Sequence, residues 1–180
     1  MYRLTKVTIT VTVLLGVLLF ALSPLNVFAK NDELKNITLP KNQVINKDYF
    51  AAGDSVTISG TVNGDAYVAG GNVIIEGTVN GDLLVAGGTV TIRGKVTQDV
   101  RVAGGQINIT GNIGRNLTTV GGSINISDSA IINGSLAAAA GDISVFAEIG
   151  KEANFAAGQI SLGSTINGDV QAGVGQLNLT

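Results

Sequence analysis

The chain has no cysteine, no histidine and no tryptophan. Without cysteine there is no disulfide, no thiol nucleophile and no residue to acylate in a lipoprotein leader. Without histidine, neither a serine triad of the usual kind nor a zinc site of common composition can be assembled. Aromatic residues are only 4% of the chain, which argues against a conventional globular core, and burial must come from Val, Ile, Leu and Ala. Charge is also scarce. A net charge of −2 supplies no basic stripe of the kind nucleic acid requires. Proline occurs twice and glycine 25 times, a balance that suits many turns between β-branched strands. A length of 180 residues makes one domain the default.

The N-terminal segment stands apart. Arg3 and Lys6 precede a nearly unbroken apolar run from Val7 to Leu22, and Ser23, Pro24 and Asn26 lead to Val27-Phe28-Ala29. Small or apolar residues at those last positions predict cleavage after Ala29, so residues 1–29 read as a secretory signal peptide. The alternative is an uncleaved N-terminal anchor, although the run is short for a bilayer span, which needs about 20 apolar residues. Residues 30–38 form a polar linker. Removing Arg3 and Lys6 leaves 9 basic against 13 acidic residues, a mature charge near −4. The expected location is extracytoplasmic, at the cell envelope or membrane.

What is abundant is repetition. Glycines at 53, 70, 87, 104 and 121 recur every 17 residues in Ala-Gly or Val-Gly pairs, and after one spacing of 20 the series resumes at 141, 158 and 175. A second series, Gly60, Gly77, Gly94 and Gly111, keeps phase with the first. Fixed self-similarity is the signature of a solenoid. Ile45–Gly53 aligns with Val62–Gly70, so a degenerate first coil begins near Leu39 and the repeat domain spans 39–180. Within a copy, apolar residues alternate (Val56, Ile58, Val62, Ala66, Val68), the period of a half-buried strand. Three strands of three or four residues and three corners per copy predict an all-β, single-stranded β-helix of triangular section. Its sides are about 15–18 Å and its length is on the order of 40 Å over about eight coils.

Equivalent positions then stack in ladders. Three are apolar: Val56, Val73, Val90, Ile107, Ile124; Ile58, Ile75, Ile92, Ile109, Ile126; and Val62, Val79, Val96, Ile113. Asn63-Gly64-Asp65, Asn80-Gly81-Asp82 and Asn167-Gly168-Asp169 are corners, where Asn and Gly tolerate left-handed backbone. The Gly-Gly pairs are expected to be corners too. The wide spacing is expected to insert Ser-Asp-Ser-Ala at 127–130 as a bulge or loop.

Candidate sites are few. Asp65, Asp82, Asp99 and Asn116 make a corner ladder, which reads either as a row of Ca²⁺ sites or as Asp bonding nearby backbone. The second reading is favoured, because Asn116 and Ser135 interrupt the row and the calcium β-roll pattern is absent. Thr57 and Thr91 suggest an ice-binding array, but the row decays into Ile74, Asn108 and Asn125. Arg93, Lys95, Arg101 and Arg115 read as a solvated face. The Gly-Gly pairs lack the Lys and Ser/Thr of a phosphate loop. No catalytic residue, cofactor or metal site is expected. A hexapeptide acyltransferase needs a catalytic histidine, and a pectate-lyase-like enzyme needs long loops; neither is present.

The segments Gly60-Thr61-Val62-Asn63-Gly64-Asp65 and Gly77-Thr78-Val79-Asn80-Gly81-Asp82, with a coil length near 17, resemble the repeats of the bactofilin family of bacterial polymer-forming proteins over residues 45–180. The resemblance implies a right-handed β-helix that joins end to end into filaments without nucleotide, often near membrane or cell wall. The export signal departs from the family, whose members are typically cytoplasmic, and points to an exported or anchored variant. The expected function is a non-enzymatic scaffold that polymerises with itself, with membrane or cell-wall components as further partners. Leu39, Val44, Tyr49 and Phe50 are the contact residues expected at one end, and Leu177 and Leu179 at the other. The strand Gln176–Thr180 has no cap after it, so either another copy covers it or the sequence continues. The competing reading is a surface adhesin that binds cell-wall glycan along a Thr/Asn ladder containing Asn108 and Asn125. A third is an enzyme or lid domain whose catalytic residues lie beyond Thr180.

Overall fold

The structure, a computed structural model, describes residues 36–179. The leader, its cleavage point and most of the 30–38 linker lie outside the described residues. Those described contain no helix. Ten-residue and two-residue strands alternate instead: β1 Ile37–Leu39, β2 Val44–Ile45, β3 Tyr49–Ile58, β4 Thr61–Val62, β5 Ala66–Ile75, β6 Thr78–Val79, β7 Leu83–Ile92 and β8 Lys95–Val96. The pattern continues through β9 Val100–Ile109, β10 Asn112–Ile113, β11 Leu117–Ile126, β12 Ile131–Ile132, β13 Leu136–Val145, β14 Glu148–Ile149, β15 Ala153–Leu162 and β16 Val170–Leu179.

Odd-numbered strands, with β16, form one nine-stranded sheet, and even-numbered strands from β2 to β14 form a seven-stranded sheet. All pairings are parallel, and neighbours in space are the same position one coil on, as in Val73↔Val90 and Val79↔Val96. Parallel strands need a crossover between them. Here the rest of the coil is that crossover, so the chain is an all-β parallel solenoid of 17-residue coils, with eight ten-residue strands stacked in register.

Each coil therefore has two strands, where three short ones were expected. The Gly-Gly pair lies inside the long strand. In β5, Ala66 and Val68 are buried, then Val73 and Ile75, so the inward side changes parity between 68 and 73. Pairing with β7 skips Gly71 at that point. No described residue has positive φ, so neither these glycines nor those at the Asn-Gly corners serve left-handed backbone. Close approach between coils explains them. A Cβ at Gly87 would lie 2.8 Å from the Gly70 carbonyl oxygen, and one at Gly77 would fall on the Gly60 carbonyl oxygen.

The three expected apolar ladders are the core. Val56, Ile58, Val62, Val73, Ile75, Val79, Val90 and Ile92 are completely buried, and the columns run on through Ile143, Val145 and Ile149. At about 25 cal/mol per Å², this burial is the main stabilising term. Thr119 is the one buried polar side chain among the core columns, and its hydroxyl has no hydrogen-bond partner.

The wide spacing resolves into two effects. Val120 pairs with Ala139 and Ile126 with Val145, an offset of 19. The insertion is therefore two residues, placed at Ser127–Ala130 where a turn closes by Ala130 N–H to the Ser127 carbonyl at 3.0 Å. The remaining step is a change of column. Ala140, Ala157 and Val174 continue the column of Gly53 and Gly70, whereas Gly141, Gly158 and Gly175 continue that of Gly71 and Gly88. A matching two-residue excess sits at the start, where Leu39 pairs with Ile58 at an offset of 19 and Pro40–Gln43 forms a turn.

Candidate functional site: the terminal coils and the outer face

The coil ends differ from the middle by what their strands lack. β16 pairs with β15 along its length and is the last strand of its sheet among the described residues. Leu177 stands opposite the fully buried Ile160, and Leu179 opposite Leu162. Both continue core columns, yet they are 45% and 73% exposed, no coil among the described residues lying over them. At the other end β1 pairs with Val56–Ile58, and among the described residues Tyr49–Ala52 have strand partners on one side.

The expected end residues divide by direction. Leu39 lies in a core column and is only 2% exposed, while Tyr49 lies in a core column and packs half-buried against it. Val44 shares the column of Thr61, and Phe50 the column of Tyr67, both outward positions. These two face sideways, at the last coil of their columns, rather than along the axis. Alternation explains the split: one residue along a strand exchanges core for solvent.

The aspartate ladder has a defined chemistry. Asp48 Oδ1 accepts the Asp65 N–H at 3.0 Å, Asp65 Oδ1 the Asp82 N–H at 2.8 Å, and Asp82 Oδ1 the Asp99 N–H at 3.1 Å. Asp99 Oδ1 accepts the Asn116 N–H at 3.1 Å, and Asn116 Oδ1 the Ser135 N–H at 3.0 Å. Each side chain thus bonds backbone, as the turn reading expects, but the backbone N–H is that of the equivalent residue one coil on. An adjoining asparagine ladder does the same, Asn80 Nδ2 donating to Asn63 Oδ1 at 2.8 Å and Asn63 Nδ2 to Asn46 Oδ1 at 2.6 Å.

Arg101 meets Asp82 at 3.2 Å and Asp99 at 3.6 Å, and Arg115 reaches Asp99 at 3.6 Å. These arginines are more than half exposed and lie among the acids of that row, a solvated face as the sequence suggests, with the ion pairs as added detail. They relieve carboxylate repulsion along the corner. Among the described residues no group of three or more His, Cys, Asp or Glu is arranged to hold a metal ion. At the far end, the Ser135 hydroxyl bonds Glu152 at 2.7 Å, and that hydrogen bond first, then the Glu152 backbone N–H and Lys151, lowers the Glu152 pKa.

A feature not expected from the sequence lies on the outside of the long-stranded sheet. Phe50, Tyr67 and Leu84 stack in one outward column, 71%, 36% and 47% exposed. The rings of Phe50 and Tyr67 are stacked, centroids 4.8 Å apart and 6° from parallel. Beside them the next outward column is alanine in six of eight coils, from Ala52 to Ala156, with Val120 and Gly173 the exceptions. Ridge and alanine floor make a groove of about 740 Å³; the Tyr67 hydroxyl donates to Asp65 at 3.4 Å, and Asp65 raises the pKa of Tyr67 chiefly by its charge. The signal was present as Tyr-x-Ala and Leu-x-Ala at fixed phase, but alternation directs attention to the buried half of a strand. The Thr/Asn column places Asn108 beside Asn125, with Asn125 exposed and Asn108 half-buried.

No family model, no curated protein and no solved structure matches this chain.

Proposed function

We propose that this chain is a non-enzymatic structural protein that assembles end to end through its β-helix at the bacterial cell envelope, as an exported relative of the polymer-forming bactofilins. On this reading the coil is triangular and right-handed, and subunits extend one another's sheets. One observation carries it. The core columns run without interruption to β16, where Leu177 and Leu179 present apolar side chains at the outermost strand edge among the described residues. Such an edge is a template for another strand. Supply of one more coil would bury both leucines as Ile160 and Leu162 are buried. The contact is heterologous, one end against a different end, and a heterologous contact that does not close yields a filament.

The test is negative-stain electron microscopy of the purified chain with and without EDTA. Filaments are expected in both conditions. Leu177→Asp should abolish them while far-UV circular dichroism stays that of the parent, since a carboxylate cannot be buried unpaired at the joint. Filaments unaffected by Leu177→Asp would remove this end from the interface. Filaments lost with EDTA would assign the joint to cations on the aspartate ladder. Dispersed rods under every condition would refute polymerisation and favour a monomeric glycan-binding rod.

A further inference from the structure

The outer face of the long-stranded sheet is graded from one end to the other. Its ridge column carries Phe50, Tyr67 and Leu84 in the N-terminal half, and Ala137, Asn154 and Gln171 in the C-terminal half. The bulky half bounds the groove described above. The C-terminal half is a second depression of about 510 Å³, floored by Ala139, Ala156 and Gly173 and edged by Asn154 and Gln171. Arg101 and Thr118 meet at the midpoint.

We propose that this face binds a second copy of the chain side by side and antiparallel, independently of any end-to-end joint. Under a twofold axis in the plane of the contact, across the rods between the coils of Arg101 and Thr118, the first coil faces the eighth. Phe50 then meets Gln171, Tyr67 meets Asn154 and Leu84 meets Ala137, each twice. The bulky apolar half of each ridge thus meets the polar and alanine half of the other, and the alanine columns meet across a flat floor. That is the self-complementarity an isologous interface requires.

Charge and area agree. In these two columns the only charged residue is Arg101, and its guanidinium is already engaged by Asp82 and Asp99 of its own chain. Two copies of Arg101 therefore approach near the axis as neutralised groups. Eight coils at about 4.8 Å and five residues at about 3.3 Å make a face of about 650 Å² per copy, or about 1,300 Å² for the pair. A specific interface needs about 1,000 Å² or more. Glycan stacking is disfavoured here, because Phe50 covers one face of the Tyr67 ring and Leu84 is the next residue in the column.

The absence of cysteine gives a clean test. In the full chain, Tyr67→Cys and Asn154→Cys are made singly and together, and treated with a thiol crosslinker spanning the roughly 10 Å between packed sheets. Copies carrying both cysteines should crosslink into dimers on a denaturing gel. Either single variant should not, because like positions lie five coils apart, about 24 Å. Leu84→Glu, outward and clear of the core, should abolish the dimer without changing the circular dichroism. Leu177→Asp should leave it intact, which separates this contact from the end-to-end joint. Equal crosslinking by Tyr67→Cys alone would overturn the antiparallel pair. So would a dimer lost with Leu177→Asp and kept with Leu84→Glu. No dimer, with saturable binding of a fluorescent fatty acid that Leu84→Glu abolishes, would assign the groove to an apolar ligand instead.

Discussion

A single methyl group decides whether neighbouring coils can stack. A Cβ at Gly94 would fall on the Gly77 carbonyl oxygen, and a backbone oxygen cannot swing away as a side-chain tip can. At Gly141 the nearest atom to an added Cβ is the Gly122 oxygen at 3.1 Å. Gly94→Ala should therefore cost about 1–3 kcal/mol or more, as overpacking does, and Gly141→Ala much less, read from urea unfolding of the two variants. The same series shows where the constraint ends. After the two-residue insertion, Ala130 and Ala147 occupy the Gly94 column, both fully buried. Thr119 has the opposite problem, a buried hydroxyl with no partner. An unsatisfied buried polar group costs about 1–3 kcal/mol, so Thr119→Val, which keeps the shape, should raise the melting temperature. Tyr67 reports on the acidic corner. Its pKa is raised above the ordinary tyrosine value, first by Asp65, so the folded chain holds the phenol proton more tightly than the unfolded chain does. The stability this confers is present below the ordinary tyrosine pKa of about 10 and is lost as pH rises through the raised value. Tyrosinate absorbance, with Tyr67→Phe to assign the signal, should show a late titration that Asp65→Asn moves earlier.

At the scale of the element, the unit of change is the coil. Neighbouring strands are offset by 17 residues, and each buried position stacks on its own image. Deleting residues 78–94 joins Gly77 to Lys95 and restores that register. The shortened chain should keep its strand signal and a cooperative melt. Deleting 79–94 shifts the following strand by one residue and turns its apolar set to solvent, so circular dichroism should show loss of the fold. This regularity is why the coil was readable before the structure: Val56, Ile58 and Val62 with their images specify strand, face and stacking at once. The strand count was not readable. Gly70-Gly71 looks like a break because glycine usually marks a turn, whereas here the strand passes through it and exchanges its inward side. The column change at Gly121 was hidden for a related reason. The sequence holds two adjacent glycines, and only the pairing of Val120 with Ala139 shows which one persists.

At the scale of the whole molecule, the two proposed contacts use different parts of the rod, and Leu177→Asp and Leu84→Glu should separate them. Of the end residues, Leu39, Tyr49, Leu177 and Leu179 lie in core columns, as alternation from the ladders anticipates. Val44 and Phe50 were grouped with them by hydrophobicity alone, and parity places both on the outside. The change from bulky apolar to polar residues along the outer face was illegible because it compares residues up to seven coils apart, a relation that becomes spatial only when the coils are stacked.

The stacking direction has a mechanical consequence. Hydrogen bonds from strand to strand, and those of the aspartate and asparagine ladders, all connect one coil to the next along the rod. Tension applied to the two ends loads them in series, so the rod yields by peeling its outermost coil rather than by shearing throughout. Each release frees 17 residues, about 60 Å of extended chain, and lengthens the tether while the remaining coils hold. A protein of this kind under strain behaves as a tape paid out in equal lengths, with longer steps where Pro40–Gln43 and Ser127–Ala130 each add two residues to the winding.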